Sequence, residues 1–193
     1  MVLDIIDAIH IFTRLLSPLM ARLRSEGIRC LIYIDNFFLA AATKQLAREH
    51  SKRAFELFAW CGWTFNQAKS SGEPLQLVRF LGLNIDSRDL SYNIPEDKLR
   101  EIKLKLKKLQ SFGYHQVHVK QLAKVVGTLQ SLRLATGPLI AVMTRSLYRT
   151  IVTADSWNSY VSMDVLSQNK VTWWYEHIRI LNKYTIWLKK LRM

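Results

Sequence analysis

The stretch that most constrains the fold is residues 31–40, where two apolar runs flank a single Asp-Asn pair. Ile, Tyr and Phe suit β-strands, and Asp and Asn tolerate the positive φ angles that tight turns require. The pattern predicts a β-hairpin over about residues 28–42, with Asp35 exposed at its tip. A carboxylate held in this way is well placed to bind a metal ion; a plain turn whose aspartate serves only the backbone is the alternative.

The charge of the chain is unevenly distributed. The 193 residues are 49% hydrophobic, which is enough to bury a core in one domain or two small ones. Residues 1–94 hold 11 Lys+Arg against 9 Asp+Glu, whereas residues 95–193 hold 17 against 6, within a total net charge of +13. This excess favours a nucleic-acid partner, with an anionic membrane surface second and a merely solvated surface as the plainer alternative.

The N-terminus does not resemble a secretion signal, because Asp4 and Asp7 interrupt it before an apolar stretch can form. The longest apolar run, around residues 30–42, is broken by Asp35 and Asn36 and is too short to cross a bilayer. We expect an intracellular protein of the nucleus or cytoplasm that is not secreted and has no membrane partner.

The first half of the chain reads as an α+β layer. The apolar spacing predicts a helix over residues 3–24, followed by the hairpin and by a second helix that Thr43 caps and Gly62 ends. A short strand over residues 63–66 and further strands within residues 75–92 follow. The predicted fold class is therefore α+β, with a mostly antiparallel sheet.

From Pro95 onward the pattern is helical and basic. Four leucine or isoleucine positions at helical spacing form one apolar stripe: Leu99, Ile102, Leu106 and Leu109. Further helices are predicted around Leu122–Leu132, from Gly137 to Ile151, and over residues 164–182. Gly127 would let a neighbouring helix approach closely. Residues 95–193 are predicted to be all-helical.

The hairpin acid suggests metal-dependent chemistry. Nucleotidyl transfer uses two divalent cations held about 4 Å apart by carboxylates from at least two elements. Mg²⁺ needs only one or two protein carboxylates when substrate oxygens complete its shell. Asp35 is a candidate ligand, whereas Asn36 offers an amide oxygen without charge.

Several motifs occur in an order that resembles the reverse transcriptases of DIRS-type retroelements, which use a tyrosine recombinase. Tyr33-Ile34-Asp35-Asn36 resembles the catalytic hairpin of that family. Residues 62–70 resemble the motif whose lysine, here Lys69, lies near the incoming nucleotide. Phe80-Leu81-Gly82 resembles the hairpin that grips the primer strand. The segments around Lys98 and Gly127 resemble the thumb, and those around Trp157, Trp173 and Trp174 the connection. The resemblance covers nearly the whole chain.

This resemblance implies an RNA-directed DNA polymerase fragment that uses Mg²⁺ or Mn²⁺ and binds an RNA/DNA primer–template. Residues 1–94 would be the C-terminal part of the palm, 95–155 the thumb, and 156–193 a connection toward a missing ribonuclease H domain. The implied catalytic residues are Tyr33, Asp35 (also the metal ligand), Asn36 at the position of the second carboxylate, and Lys69. The implied primer grip is Phe80, Leu81 and Gly82. The implied nucleic-acid-binding residues are Lys98, Lys103, Lys105, Lys107, Lys108, Lys120 and Lys124.

The sequence departs from the family pattern in ways that argue against independent catalysis. Asn36 replaces a carboxylate, and only 34 residues precede Asp35, so the first metal-binding aspartate and the fingers are not found. We therefore expect a truncated chain that is inactive alone and self-associates through an open palm edge. A non-catalytic nucleic-acid-binding remnant and a decayed product without a selected role are the alternatives.

Overall fold

The computed structural model describes residues 5–66, 68–111, 114, 116–182 and 184–185. The chain forms two compact units, residues 1–75 and 76–193. Both combine helices with small antiparallel sheets, which confirms the predicted α+β class. The predicted boundary at Pro95 lies inside the second unit, and the division into palm, thumb and connection stays a prediction.

The first unit consists of a hairpin between two helices along the chain. Its elements are α1 (Ile5–Ser25), β1 (Arg29–Tyr33), β2 (Asn36–Ala40) and α2 (Lys44–Trp60). Gly27, at φ 80°, follows the end of α1, and Gly62, at φ 80°, follows α2, as predicted. The hydroxyl of Thr43 accepts from the backbone N–H of Leu46 at 3.1 Å and so caps the start of α2.

The core of this unit lies between the two helices and one face of the hairpin. Its buried residues are Leu16, Met20, Leu23, Ile28, Ala54 and Phe58. The predicted strand at residues 63–66 is wrong, because this segment is irregular. Its two aromatic residues instead pack edge-on against helix residues, Trp63 against Phe12 at 5.3 Å and Phe65 against Phe58 at 5.1 Å between ring centroids. The alternating pattern thus reflects contact with helices rather than with a neighbouring strand.

The second unit joins a sheet to a group of helices. Its elements are, in order, β3 (Leu77–Phe80), β4 (Leu83–Asp86), β5 (Ser91–Asn93), α3 (Glu96–Ser111), β6 (Val117–His118), α4 (Val119–Gln130), α5 (Arg133–Thr136), α6 (Leu139–Met143), α7 (Arg145–Val152), β7 (Tyr160–Val161), α8 (Val165–His177) and β8 (Tyr184–Thr185). The sheet order β3-β4-β5-β8 is antiparallel throughout, and β6 pairs separately with β7.

The predicted apolar stripe of α3 is confirmed, since Leu99, Ile102, Leu106 and Leu109 are all buried in one core with Trp174 of α8. The all-helical expectation for residues 95–193 is wrong, because β6, β7 and β8 lie within this range. Strands of two residues are too short to produce a recognisable alternation of apolar and polar residues, so the sequence pattern does not reveal them. They form because they pair with strands distant in the chain.

Three predicted helix features also differ from the structure. The helix expected from Gly137 to Ile151 is interrupted at Thr144, whose hydroxyl donates to Ile140 O at 2.7 Å and accepts from Gln130 Nε2 at 2.6 Å. The last helix ends at His177 rather than near residue 182. Gly127 is exposed, and an added Cβ would meet no atom within 4 Å, so it does not mark a close helix approach.

Within the described part of the chain, the helices are all too short or too polar to cross a membrane.

Candidate functional site

The β1–β2 hairpin presents Asp35 at an exposed tip. Tyr33 pairs with Asn36, which leaves Ile34 and Asp35 as a two-residue loop. The positive φ falls on Ile34, at 55°, and not on Asp35 or Asn36 as the sequence predicts. A β-branched residue seldom adopts this conformation, and such strain costs about 1–3 kcal/mol. Positive φ at the first loop residue alone is the pattern of a type II′ turn.

The two faces of the hairpin have different surroundings. Cys30 and Ile32 alternate with exposed residues and pack, with Phe37 and Leu39 of β2, against the core between the helices. Tyr33 lies on the opposite, exposed face, on the same side as its partner Asn36. The helices therefore fix one face of the hairpin and leave the Tyr33 face and the Asp35 tip open to a ligand.

The carboxylate of Asp35 is in contact with an amide rather than with a second acid. Asn36 Nδ2 donates to Asp35 Oδ1 at 3.1 Å. Among the described residues, no three His, Cys, Asp or Glu side chains are grouped so that they could hold a metal ion. One carboxylate does not fit a pair of divalent cations, which needs acids from at least two elements.

Lys69 lies in an exposed turn after α2, where its backbone N–H donates to Asn66 O at 3.1 Å. In the described residues, no hydrogen bond or ion pair joins its side chain to the hairpin. The described residues therefore show no direct bond between Lys69 and Asp35, and their predicted roles stay predictions.

A second turn carries the predicted primer grip. Phe80 pairs with Leu83, so Leu81 and Gly82 form a two-residue turn with φ angles of 48° and 76°. Two positive φ angles are the pattern of a type I′ turn, whose twist matches that of the flanking strands. Phe80 is half-buried, whereas Leu81 is exposed at the tip.

Lys98 of α3 joins this turn to α4. Its Nζ donates to Gly82 O and to Ser131 Oγ, both at 3.4 Å. Burial lowers the pKa of the Lys98 ammonium, and the neighbouring Arg79 guanidinium lowers it further. The structure thus brings together two residues that the sequence singled out separately, Gly82 and Lys98.

The predicted lysines do not form one patch. Lys105 Nζ lies 2.6 Å from Glu101 Oε1, and this bond lowers the pKa of the Glu101 carboxyl, with Lys124 and Lys98 contributing through charge. We call Lys98, Lys105 and Lys124 the α3–α4 basic face.

Two of the other lysines contact different partners. Lys103 lies 5.0 Å from the ring centroid of Tyr175 in α8, and Lys120 Nζ donates to Asn158 Oδ1 at 2.6 Å. Lys107 and Lys108 are exposed on α3. Lys103 and Lys120 are therefore set apart from the α3–α4 basic face.

Sequence reasoning missed the other members of this region. Arg79 of β3 binds both carboxylate oxygens of Asp97, at 3.2 and 2.8 Å, and lowers its pKa. Ser131, the residue after α4, holds Lys98. A basic residue in β3, Arg79, together with acids in the first turn of α3 could have predicted the ion pair with Asp97. Nothing in the sequence around Ser131 predicts its contact with Lys98.

The tryptophans of the predicted connection have different environments. Trp174 is fully buried, Trp173 stacks on His177 at 4.8 Å between centroids, and Trp157 is exposed.

The class of fold follows from comparison with solved structures. No family model matches the chain, and no curated protein sequence matches it either. By fold, however, the chain is reverse-transcriptase-like. A foamy viral protease-reverse transcriptase, solved in complex with double-stranded DNA, matches 93% of the chain with a TM-score of 0.67 and 17% identity. The chain spans 28% of the length of that neighbour. This likeness establishes the fold.

Proposed function

We propose that the chain is part of a retroelement reverse transcriptase, an RNA-directed DNA polymerase, and that it binds a primer–template without extending the primer by itself. The observation that carries this proposal is the tight, exposed hairpin tip bearing Asp35 in a reverse-transcriptase-like fold. The order of the motifs supports a DIRS-type element, and we propose a nuclear or cytoplasmic location.

The α3–α4 basic face supports binding of the nucleic-acid backbone. Lys98 contacts the Leu81-Gly82 turn, and the charges of Lys98, Lys105 and Lys124 all act on Glu101 in the same unit. Lysine contacts to phosphates release counterions, so binding of this kind weakens as salt rises. The foamy viral neighbour was solved with double-stranded DNA, which supports a duplex as the ligand for this chain.

The β1–β2 hairpin argues against catalysis of nucleotidyl transfer by this chain alone. Mg²⁺ or Mn²⁺, when bound at Asp35, would supply positive charge for the phosphates of a nucleotide. Asn36 adds no negative charge there and donates its amide to the one acid present. This contact favours the second candidate function, a nucleic-acid-binding module without polymerase activity.

The test combines primer extension with duplex binding. The purified chain is expected to give no extension on an RNA template with Mg²⁺ or Mn²⁺, and to bind a primer–template with a log–log salt slope of a few units. Templated extension would contradict the loss of catalysis. Absence of binding at low salt would contradict the proposed function as a whole.

The Asn36→Asp variant is a further control, because it restores a carboxylate at the hairpin. Two like charges at the tip are expected to increase Mn²⁺ affinity relative to the native chain. Unchanged Mn²⁺ affinity would contradict the assignment of this position to a metal site.

Self-association through the β1–β2 sheet stays a prediction. Its two strands pair only with each other in the described residues, so both outer edges can accept a further strand. Size-exclusion chromatography over a concentration series checks it.

A further inference from the structure

An exposed tryptophan lies on a well-ordered turn before β7. Ser159 donates to Ser156 O through both its backbone N–H, at 3.2 Å, and its hydroxyl, at 2.7 Å. The N–H of Asn158 donates to Ser156 Oγ at 3.3 Å. Trp157 lies at the tip of this turn and is 59% exposed. Three hydrogen bonds therefore fix the backbone that carries a large aromatic ring in solvent.

The same turn is fastened to the start of α4. Val119 N–H donates to Ser159 O at 3.1 Å, and Lys120 Nζ donates to Asn158 Oδ1 at 2.6 Å. Tyr160, which is 66% exposed, pairs with His118 across β6 and β7. Their ring centroids are 5.1 Å apart in an edge-to-face arrangement.

His118 is itself oriented by the helix it precedes. Its Nδ1 accepts from the backbone N–H of Lys120 at 3.2 Å, so in the neutral ring the proton lies on Nε2, which is then a hydrogen-bond donor. We call Trp157, Tyr160, His118 and Lys120 the aromatic surface. It combines two exposed rings with a cation and a ring N–H donor on a fixed backbone.

The chemistry of this surface suits unpaired bases. Covering an exposed aromatic ring with a partner is favourable, because it removes apolar surface from water. Unpaired bases offer flat π-faces for this contact, whereas the bases of a duplex are already stacked on one another. Stacking on aromatic residues beside a basic groove is how proteins bind single strands without reading their sequence. The charge of residues 95–193, with 17 Lys+Arg against 6 Asp+Glu, complements a phosphate backbone.

We propose that the aromatic surface binds a single-stranded nucleic-acid segment, with bases stacked on Trp157 and Tyr160 and phosphates near Lys120 and His118. This goes beyond the proposed function, which assigns duplex contacts to the α3–α4 basic face, and it rests on that function only in requiring a nucleic-acid ligand.

The test compares a blunt duplex with the same duplex carrying a short oligothymidine overhang, by fluorescence anisotropy with the full chain. The native chain is expected to bind the overhang substrate more tightly. Trp157→Ala and Tyr160→Ala should each weaken overhang binding about tenfold and leave blunt-duplex binding unchanged, because a stacked base contributes about 1–3 kcal/mol. Tyr160→Phe keeps the ring and should bind as the native chain does.

Matched controls are available because another tryptophan and another tyrosine are also exposed. Trp60, 85% exposed, and Tyr148, 60% exposed, lie outside this surface, and their alanine variants should bind both substrates normally. Equal losses in these controls, or no loss in Trp157→Ala and Tyr160→Ala, would overturn the proposal.

The remaining outcomes separate this proposal from the proposed function. If the native chain binds the blunt duplex but gains nothing from the overhang, the aromatic surface proposal fails and the duplex function stands. If it binds neither substrate at low salt, both fail. If the alanine variants change only the oligomeric state, the surface is an interface between copies and the proposal is wrong.

Discussion

Lys98 Nζ lies 3.4 Å from the carbonyl oxygen of Gly82 and 3.4 Å from Ser131 Oγ, so one side chain joins a β-turn to the end of a helix. The turn belongs to β3 and β4, and Ser131 follows α4. The exposed Leu81 lies in the same turn. The position of a nucleic-acid strand that contacts Leu81 would therefore depend on the two hydrogen bonds of Lys98.

Gly82→Ala is expected to destabilise the second unit. Gly82 has φ 76°, where a Cβ costs about 1–2 kcal/mol, and the added atom would lie 3.0 Å from Lys98 Nζ. Urea unfolding should show this loss. Gly72→Ala, at a position with open space and no positive φ, is the control and should change stability by less than about 0.5 kcal/mol.

Gly127→Ala should have the opposite effect. Gly127 lies inside α4, is exposed, and leaves open space for a Cβ. Alanine there reduces the entropy of the unfolded chain and should stabilise the unit by about 0.5–1 kcal/mol. A decrease in the urea midpoint would show that the small side chain is needed for packing after all.

Lys124→Gln should lower the salt dependence of duplex binding. Lys124 belongs to the α3–α4 basic face, so its loss should reduce the log–log salt slope by about one. Lys103→Gln removes the same charge from the side of α3 facing Tyr175 and should leave the slope unchanged. Equal effects from both variants would indicate that only net charge matters.

Glu26 should make the first unit sensitive to acid. Arg53 donates two 2.7 Å hydrogen bonds to it and, together with Arg22, lowers the pKa of Glu26 from 4.5 to about 2. A folded-state pKa below the unfolded value gives stability that is complete above about pH 4.5 and is lost as pH falls toward 2.

Glu26→Gln should therefore unfold at lower temperature at neutral pH and lose less stability between pH 4.5 and 2 than the native chain. Glu49→Gln, whose carboxylate accepts from Gln45 within α2, is the charge-matched control. If both variants keep the native pH profile, the Arg53 pair does not contribute to folding.

Local signals in the sequence predicted local structure well. Three features were predicted from residues only a few positions apart: the Thr43 cap, the glycines at positions 27 and 62, and the apolar stripe of α3. Residues close in sequence determine the geometry of each of them. Asp35 at an exposed hairpin tip follows from the same kind of signal.

Features set by distant partners could not be predicted in this way. The grouping of Lys98 with Gly82, and of Lys124 with Glu101, depends on how α3 packs against β4 and α4. The positive φ of Ile34 depends on the pairing of Tyr33 with Asn36, which shifts the loop by one residue from the Asp-Asn pair. The exposure of Trp157 depends on the docking of its turn against α4.

The link between Ile94 and Asn182 has a consequence for how the chain folds. Asn182 accepts from the N–H of Ile94 at 2.6 Å and donates to its carbonyl at 3.1 Å, and β8 pairs with β5 beside them. Contacts between residues so far apart in sequence form late, since the loop between them must close first. During synthesis, nearly a hundred further residues must therefore be added before β8 can pair with β5. Until then the backbone edge of β5 is unpaired on that side and can pair with a wrong strand.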